Sequence, residues 1–229
     1  MKVYQNNTDN VGITEEVNFP GYRIGDALHF SPMLAHHTMN RSMALILLKE
    51  YSHIKSVLDV GSGAGSLGYF LRKLKKDLTV VTLDGNRRTT ESPFIKEEHH
   101  FVVRTDLEYN LVDENKENIK FDLICSFEHL EHIQPSTFRQ FLKNIRKHCH
   151  KDTIVITTAA NYVFHEESEK HIHCLVMPRG QWVEIIYSEG FEMVDDLPLS
   201  RNMDSLAAEW LPPHGRLATS HQLNFKRRG

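Results

Sequence analysis

Little in this chain of 229 residues suggests a covalent staple, an anchor or a strong electric field. Cysteines number three, Cys125, Cys149 and Cys174, widely spaced and without a Cys-x-x-Cys pair. That supports neither a disulfide framework nor a thiolate zinc site. No run of about 18 apolar residues is present, so no membrane span is expected. The opening Met-Lys-Val-Tyr-Gln-Asn-Asn is polar and lacks the apolar stretch of a secretory leader, which makes the cytoplasm the expected location. Net charge is only −3, so composition gives no pull toward nucleic acid or an anionic membrane. Internal repeats and low-complexity segments are also missing.

What is there fits one globular core. Apolar residues make up 40% and charged residues 25%, a mixture suited to a single domain of this length. The organising stretch is Ser56-Val-Leu-Asp-Val-Gly-Ser-Gly-Ala-Gly65. Its apolar start predicts a buried strand over 56–60, and Gly61, Gly63 and Gly65 predict a tight turn. Leu67, Phe70, Leu71 and Leu74 then recur at helical spacing, which predicts a helix over 65–76. Such a turn lets a ligand approach the main chain and faces the positive end of the helix. Asp84 closes a second strand over 78–83, about 20 residues past the glycines, where an acid can accept hydrogen bonds from ribose hydroxyls.

The same patterning continues. Strands are predicted over 100–104, 121–126, 153–158 and 191–195, with a last one within 217–227. Helices are predicted over 135–149 and 178–189, the first striped by Phe138, Phe141, Leu142 and Ile145. Alternating strands and helices argue for a mainly parallel sheet covered on both faces. Pro93 speaks against a long helix in 87–98, and 108–120 reads as a surface excursion. Residues 1–30 read as an irregular arm, followed by a leading helix from Ser31-Pro32 to about 51. On that helix His36 and His37 read as solvated imidazoles, with a substrate role as the alternative. The cationic end of helix 65–76, Arg72 to Lys76, reads as a solvated face rather than a DNA-binding one. The connection 197–216 is expected to hold one short helix over 205–210, ending at Trp210, which is read as a lid or core anchor.

Val57-Leu-Asp-Val-Gly-Ser-Gly-Ala-Gly65 resembles the first motif of class I S-adenosylmethionine-dependent methyltransferases. Its glycine spacing differs from the Gly-x-Gly-x-x-Gly of dinucleotide enzymes, the competing reading. Three more matches follow in family order: Asp84, Thr105-Asp106, and Phe121-Asp-Leu-Ile-Cys-Ser-Phe-Glu-His129. The resemblance covers about residues 53–195. It implies an α/β, Rossmann-like fold with a seven-stranded, mainly parallel sheet and an antiparallel last strand. Residues 1–52 would form an arm and helix packing on or lidding the site, and 53–229 the cofactor-binding core. It also implies S-adenosyl-L-methionine as cofactor. The expected contacts are Asp59, Gly61, Ser62, Gly63, Gly65, Asp84 and Gly85, with Thr105, Asp106 and Leu107 near the adenine and Phe127 against the cofactor.

Glu128-His-Leu-Glu131-His132 carries a Glu-x-x-Glu-His pattern. In a helical turn Glu128, Glu131 and His132 would share one face, able to hold a divalent cation such as Mg or Mn, with His173 as a fourth ligand. The pattern is similar to that of ubiquinone-pathway O-methyltransferases and of small-RNA 3′-terminal 2′-O-methyltransferases. It is also similar to metal-free sugar and antibiotic enzymes, where a histidine acts as base. His132, Glu128 and His173 are therefore the catalytic candidates. The favoured acceptor is a small molecule, a hydroxyl on a sugar or natural product. An RNA end is the alternative, and a non-catalytic cofactor-binding protein the third reading.

Overall fold

The computed structural model describes residues 2–7, 9–10, 37–160, 173–194 and 220–229. The Ser31-Pro32 start, His36, Trp210 and the helix expected over 205–210 lie outside the described residues.

In chain order come β1 (Tyr4–Gln5), α1 (His37–Glu50), β2 (Ser56–Val60), α2 (Ser66–Leu74), β3 (Thr79–Asp84), β4 (His100–Val102) and β5 (Leu111–Val112). Then follow β6 (Phe121–Ser126), α3 (Phe138–Lys147), β7 (Cys149–Ala160), α4 (Arg179–Ser188), β8 (Phe191–Met193) and β9 (Ser220–Arg227). Among the described residues one seven-stranded sheet runs β4-β3-β2-β6-β7-β9-β8. The pairs β2–β3, β3–β4, β2–β6 and β6–β7 are parallel, while β9 pairs antiparallel with both β7 and β8. This is the expected Rossmann-like architecture. Its strand order reverses beside β2, and the crevice at that reversal is where open α/β sheets take ligands.

Strand alternation divides the core into two layers. Val57, Val80, Leu123, Cys125 and Ile156 face one side and pack with Met43, Ala44 and Leu47 of α1 and Leu67 and Leu71 of α2. Leu58, Val81, Ile124 and Val155 face the other side and pack with Phe138, Phe141, Leu142 and Ile145 of α3 and Trp182 and Ile186 of α4. Burying each large apolar side chain stabilises the fold by about 1.5–3 kcal/mol, which is why both faces are helix-covered. Cys125 is fully buried in this packing, and burial raises its thiol pKa, so it is a core residue rather than a nucleophile.

Two expectations are corrected. Tyr4–Gln5 is not part of an irregular arm; it pairs antiparallel with Leu111–Val112 in a second, two-stranded sheet. Nor is 108–120 a mere surface excursion, because Tyr109, Leu111, Val112 and Ile119 are buried. Sparse apolar residues in a polar stretch hid this: they pack against partners far away in sequence. Helix ends also move inward. α2 stops at Leu74 and α3 starts at Phe138, after a turn closed by the Thr137 N–H on the Gln134 carbonyl at 3.0 Å.

No helix among the described residues is long and apolar enough to cross a membrane.

Candidate functional site

The carboxyl ends of β2, β3, β4, β6 and β7 bring the sequence candidates to one edge. At the end of β2 the chain turns through Gly61, Gly63 and Gly65, all with positive φ of 72°, 53° and 74°. The Gly61 and Ser62 N–H groups both donate to the Leu83 carbonyl at 2.9 Å, which fastens the turn to β3. Gly65 then precedes α2, and no side chain caps that helix start. Its first-turn N–H groups are therefore available to a ligand. Asn40 of α1 donates to Ser66 Oγ at this helix start, so the leading helix touches the end of the glycine turn.

Asp84 is already tied to the turn. Gly63 N–H donates to its Oδ2 and Asn86 N–H to its Oδ1, both at 2.8 Å. Desolvation still pushes its pKa up to about 6, against the pull of those two bonds. Asp59 is buried on β2, and its Oδ2 has no hydrogen-bond partner. Burial, aided by the charge of Asp84 and opposed by Arg72, pushes its pKa up to about 7. Ser62 Oγ is likewise buried and without a partner. A carboxylate and a hydroxyl left open beside a glycine turn are polar atoms awaiting a ligand.

Thr105 and Asp106 lie where the sequence predicted, but with internal duties. The fully buried Asp106 carboxylate receives Arg104 Nε at 3.1 Å, Arg104 Nη2 at 2.9 Å and the Thr137 hydroxyl at 2.9 Å. Thr105 Oγ1 lies 2.8 Å from Nε2 of His129. Of the expected adenine-side groups, this leaves the half-buried Leu107 as the more open one. Gly85 is buried after β3, and Phe127 is half-buried against the α1–α2 layer.

Sequence reasoning passed over two residues here. His129 is buried between the glycine turn and Thr105, and burial lowers its pKa to about 4, so it is neutral at physiological pH. Asn10 is buried as well. It receives the Arg104 N–H on Oδ1 at 2.8 Å and donates Nδ2 to the carbonyls of Arg104 at 2.8 Å and Glu108 at 3.1 Å. His129 was visible in sequence as the end of the Phe121–His129 match, far from the glycines it packs on; nothing local marks Asn10.

The Glu-x-x-Glu-His segment folds differently from the expected helical turn. Only Leu130–His132 form a short 3-10 turn, and Glu128 precedes it at φ 47° with its N–H donating to Thr158 Oγ1 at 2.8 Å. That left-handed conformation costs a non-glycine residue about 1–2 kcal/mol and keeps Glu128 out of the helical turn that holds Glu131 and His132. What the fold does bring together is Glu131, His132 and His173, whose ligand atoms lie within 4.8 Å of one another. The two imidazole rings meet edge to face at 5.1 Å. The segment carrying His173 is held there by the Leu175 N–H on the Glu131 carbonyl at 3.0 Å. Glu128 is thus not in the three-residue cluster, contrary to the expectation of a four-residue set.

Residues 58–155 match the family model described as a methyltransferase domain. That match covers a little under half of the chain, and the sheet order and the glycine turn agree with it. No curated protein matches the chain. Solved structures share the fold of this methyltransferase domain at low identity. An O-methyltransferase family protein from Burkholderia thailandensis is 12% identical with a TM-score of 0.58, over 90% of this chain and 61% of that one. Phosphoethanolamine N-methyltransferase 2 of Haemonchus contortus, in complex with S-adenosyl-L-methionine, is 15% identical with a TM-score of 0.59, over 93% and 60%. Magnesium protoporphyrin IX methyltransferase from Synechocystis PCC 6803, with bound S-adenosylhomocysteine, is 13% identical with a TM-score of 0.56, over 85% and 84%. The chain therefore spans about three fifths of the length of the first two.

Proposed function

We propose that this methyltransferase domain transfers the methyl group of S-adenosylmethionine to a hydroxyl of a small polar acceptor, on a sugar or natural-product scaffold. The observation that carries the reading is the pairing of two features on one sheet edge. One is a glycine turn with buried, open Asp59 and Ser62 atoms. The other is a histidine pair beside the end of β6.

The residues fit the sulfonium cofactor. Three left-handed glycines let the chain turn sharply at the end of β2, and the uncapped start of α2 offers N–H groups to its carboxylate. Asp84 suits the ribose hydroxyls and the edge after β4 the adenine, while Asp59 places negative charge near the cationic end. The cofactor supplies an activated methyl with its own leaving group. The protein then has to align the acceptor oxygen, exclude water and remove one proton. His132 or His173 is suited to accept that proton, and the partner imidazole with Glu131 fixes its orientation.

One observation favours a second reading. Glu131, His132 and His173 form a donor set of one carboxylate and two imidazoles, which suits a divalent cation such as Mn or Mg. Such an ion would lower the pKa of the acceptor hydroxyl. That version keeps the 2′-hydroxyl of an RNA 3′ end as the alternative acceptor.

The test is label transfer from methyl-labelled cofactor to panels of hydroxylated small molecules and to short RNAs. Transfer to a sugar or natural product, lost in His132→Ala and His173→Ala, is the expected result. Loss of activity with chelator and its return with Mn would favour the metal version. Binding of cofactor without turnover on any acceptor would sink the enzymatic reading.

A further inference from the structure

A parallel crossover such as the one from β3 to β4 is usually filled by a helix. Here residues 85–99 hold only two short 3-10 turns, Arg87–Glu91 and Glu97–His99, with Pro93 between them. The uncovered space is a cavity of about 700 Å³ between α2, the start of β3 and the 93–99 segment. That volume is within the range of small-molecule sites, about 300–1,000 Å³. None of its lining residues belongs to the cofactor turn or to the Glu131–His132–His173 cluster.

The lining charge is one-sided. Arg72, Lys73, Lys76 and Lys96 contribute four cations against the single acid Asp77. Lys96 is paired with Glu98. Arg72 is half-buried and makes no ion pair among the described residues. Its guanidinium reaches only the carbonyls of Val80 at 3.4 Å and Phe94 at 3.3 Å. Burial lowers its pKa, with the charge of Asp59 acting the other way. Lys73 leans over the Tyr69 ring at 5.5 Å, and Lys76 is exposed at the cavity wall. His99 Nδ1 is without a hydrogen-bond partner. Rings stand beside these cations, Tyr69 and Phe94 with centroids 5.4 Å apart and planes tilted by 58°. In sequence Arg72 to Lys76 reads as a solvated helix end; the missing crossover helix turns it into the wall of a groove.

Cations next to aromatic faces recognise a ligand that has both a phosphate and a flat ring. We propose that this groove binds a nucleotide unit, its phosphate held by Arg72, Lys73 and Lys76 and its base laid against Tyr69 and Phe94. A free nucleotide and one link of a single strand present the same unit. The inference stands apart from the proposed methyl transfer, because the groove shares no residue with that site.

Titration of the full chain with uridine monophosphate, decauridylate and inorganic phosphate tests it. S-adenosylhomocysteine is kept in excess so that the glycine turn cannot take the nucleotide. The expected result is saturable binding of uridine monophosphate at least tenfold tighter than inorganic phosphate. A Lys73→Gln/Lys76→Gln double variant, altered only at exposed positions, weakens it about tenfold, and Tyr69→Ala removes the advantage over phosphate. Decauridylate binding tighter than the mononucleotide assigns the groove to a strand; equal affinity assigns it to the free nucleotide. For the strand, the double variant also flattens the salt dependence by about 0.7 in log–log slope per lost phosphate contact. Three outcomes would overturn the proposal: no binding of either uridine ligand, equal binding by the double variant, or phosphate binding as tightly as uridine monophosphate. Failure of the methyl-transfer reading would show instead as absent label transfer to any acceptor, with uridine binding unaffected.

Discussion

The imidazole of His129 occupies the space that a side chain on Gly61 would need: a β-carbon there would lie 2.2 Å from His129 Cγ. Through the same ring, 2.8 Å from Thr105 Oγ1, the end of β2 is joined to the loop after β4. The floor of the crevice beside the glycine turn is thus one packed unit built from three distant segments.

Replacing Gly61 should therefore be costly in two separable ways. Gly61→Ala meets both a left-handed φ of 72° and the His129 ring. The backbone share is about 1–2 kcal/mol and the overpacking share about 1–3 kcal/mol. In a double-mutant cycle by urea unfolding, His129→Ala should remove the second share and leave the first. Equal cost of Gly61→Ala in both backgrounds would show that the ring yields freely.

Cofactor choice should depend on pH through Asp59 and Asp84. Their folded pKa values, about 7 and about 6, stand above the ordinary 3.8. In the empty protein the stability from this pair is greatest below pH 4 and is lost as pH rises through 6 and 7. A bound sulfonium reverses the preference, since it is attracted to the charged carboxylates. The affinity ratio of S-adenosylmethionine to its uncharged-sulfur product should rise from pH 5.5 to 8, measured by calorimetry. Asp59→Asn should flatten most of that rise.

Acid should weaken the fold through His148. This residue is fully buried, stacks on Tyr109 at 5.7 Å and lies 2.8 Å from the Ile119 carbonyl through Nδ1. Burial lowers its pKa to about 4 from 6.5, so its contribution is present above pH 6.5 and is lost as pH falls toward 4. Between pH 7 and 5 the loss from this one residue is about 2 kcal/mol. His148→Gln should show a correspondingly smaller drop in urea midpoint over that interval, even with a lower starting stability.

Asn10 should prove the clasp of the N-terminal segment. Asn10→Ala removes three part-buried hydrogen bonds to the 104–108 backbone and leaves the Arg104 N–H without its acceptor, while the Arg104 and Glu108 carbonyls keep the Leu107 N–H and Asn7 Nδ2. The expected cost is about 2–3 kcal/mol. Amide exchange should quicken at Arg104, whose N–H donates to Asn10 Oδ1, while the β6 core stays protected. Unchanged exchange at Arg104 would mean that the clasp is dispensable.

The order of strands and helices was decided by the sequence itself, because period-2 and period-3.6 patterning are local properties. Ser56–Val60, Phe121–Ser126 and the Phe138–Ile145 stripe appear where the patterning put them. The glycine turn and Asp84 were also legible, since a turn and a strand end are written in a few consecutive residues. Only the tertiary structure decided which of the candidates meet. Glu128, at a left-handed φ, stays outside the three-residue set, while His173 is carried to Glu131 and His132 from more than forty positions downstream. Asp106 is bound up by Arg104 and Thr137, and His129 and Asn10 find partners that no nearby residue announces. Local pattern measures which face of an element is apolar; contact between elements depends on how long connections close in space, and no short window of sequence contains that distance.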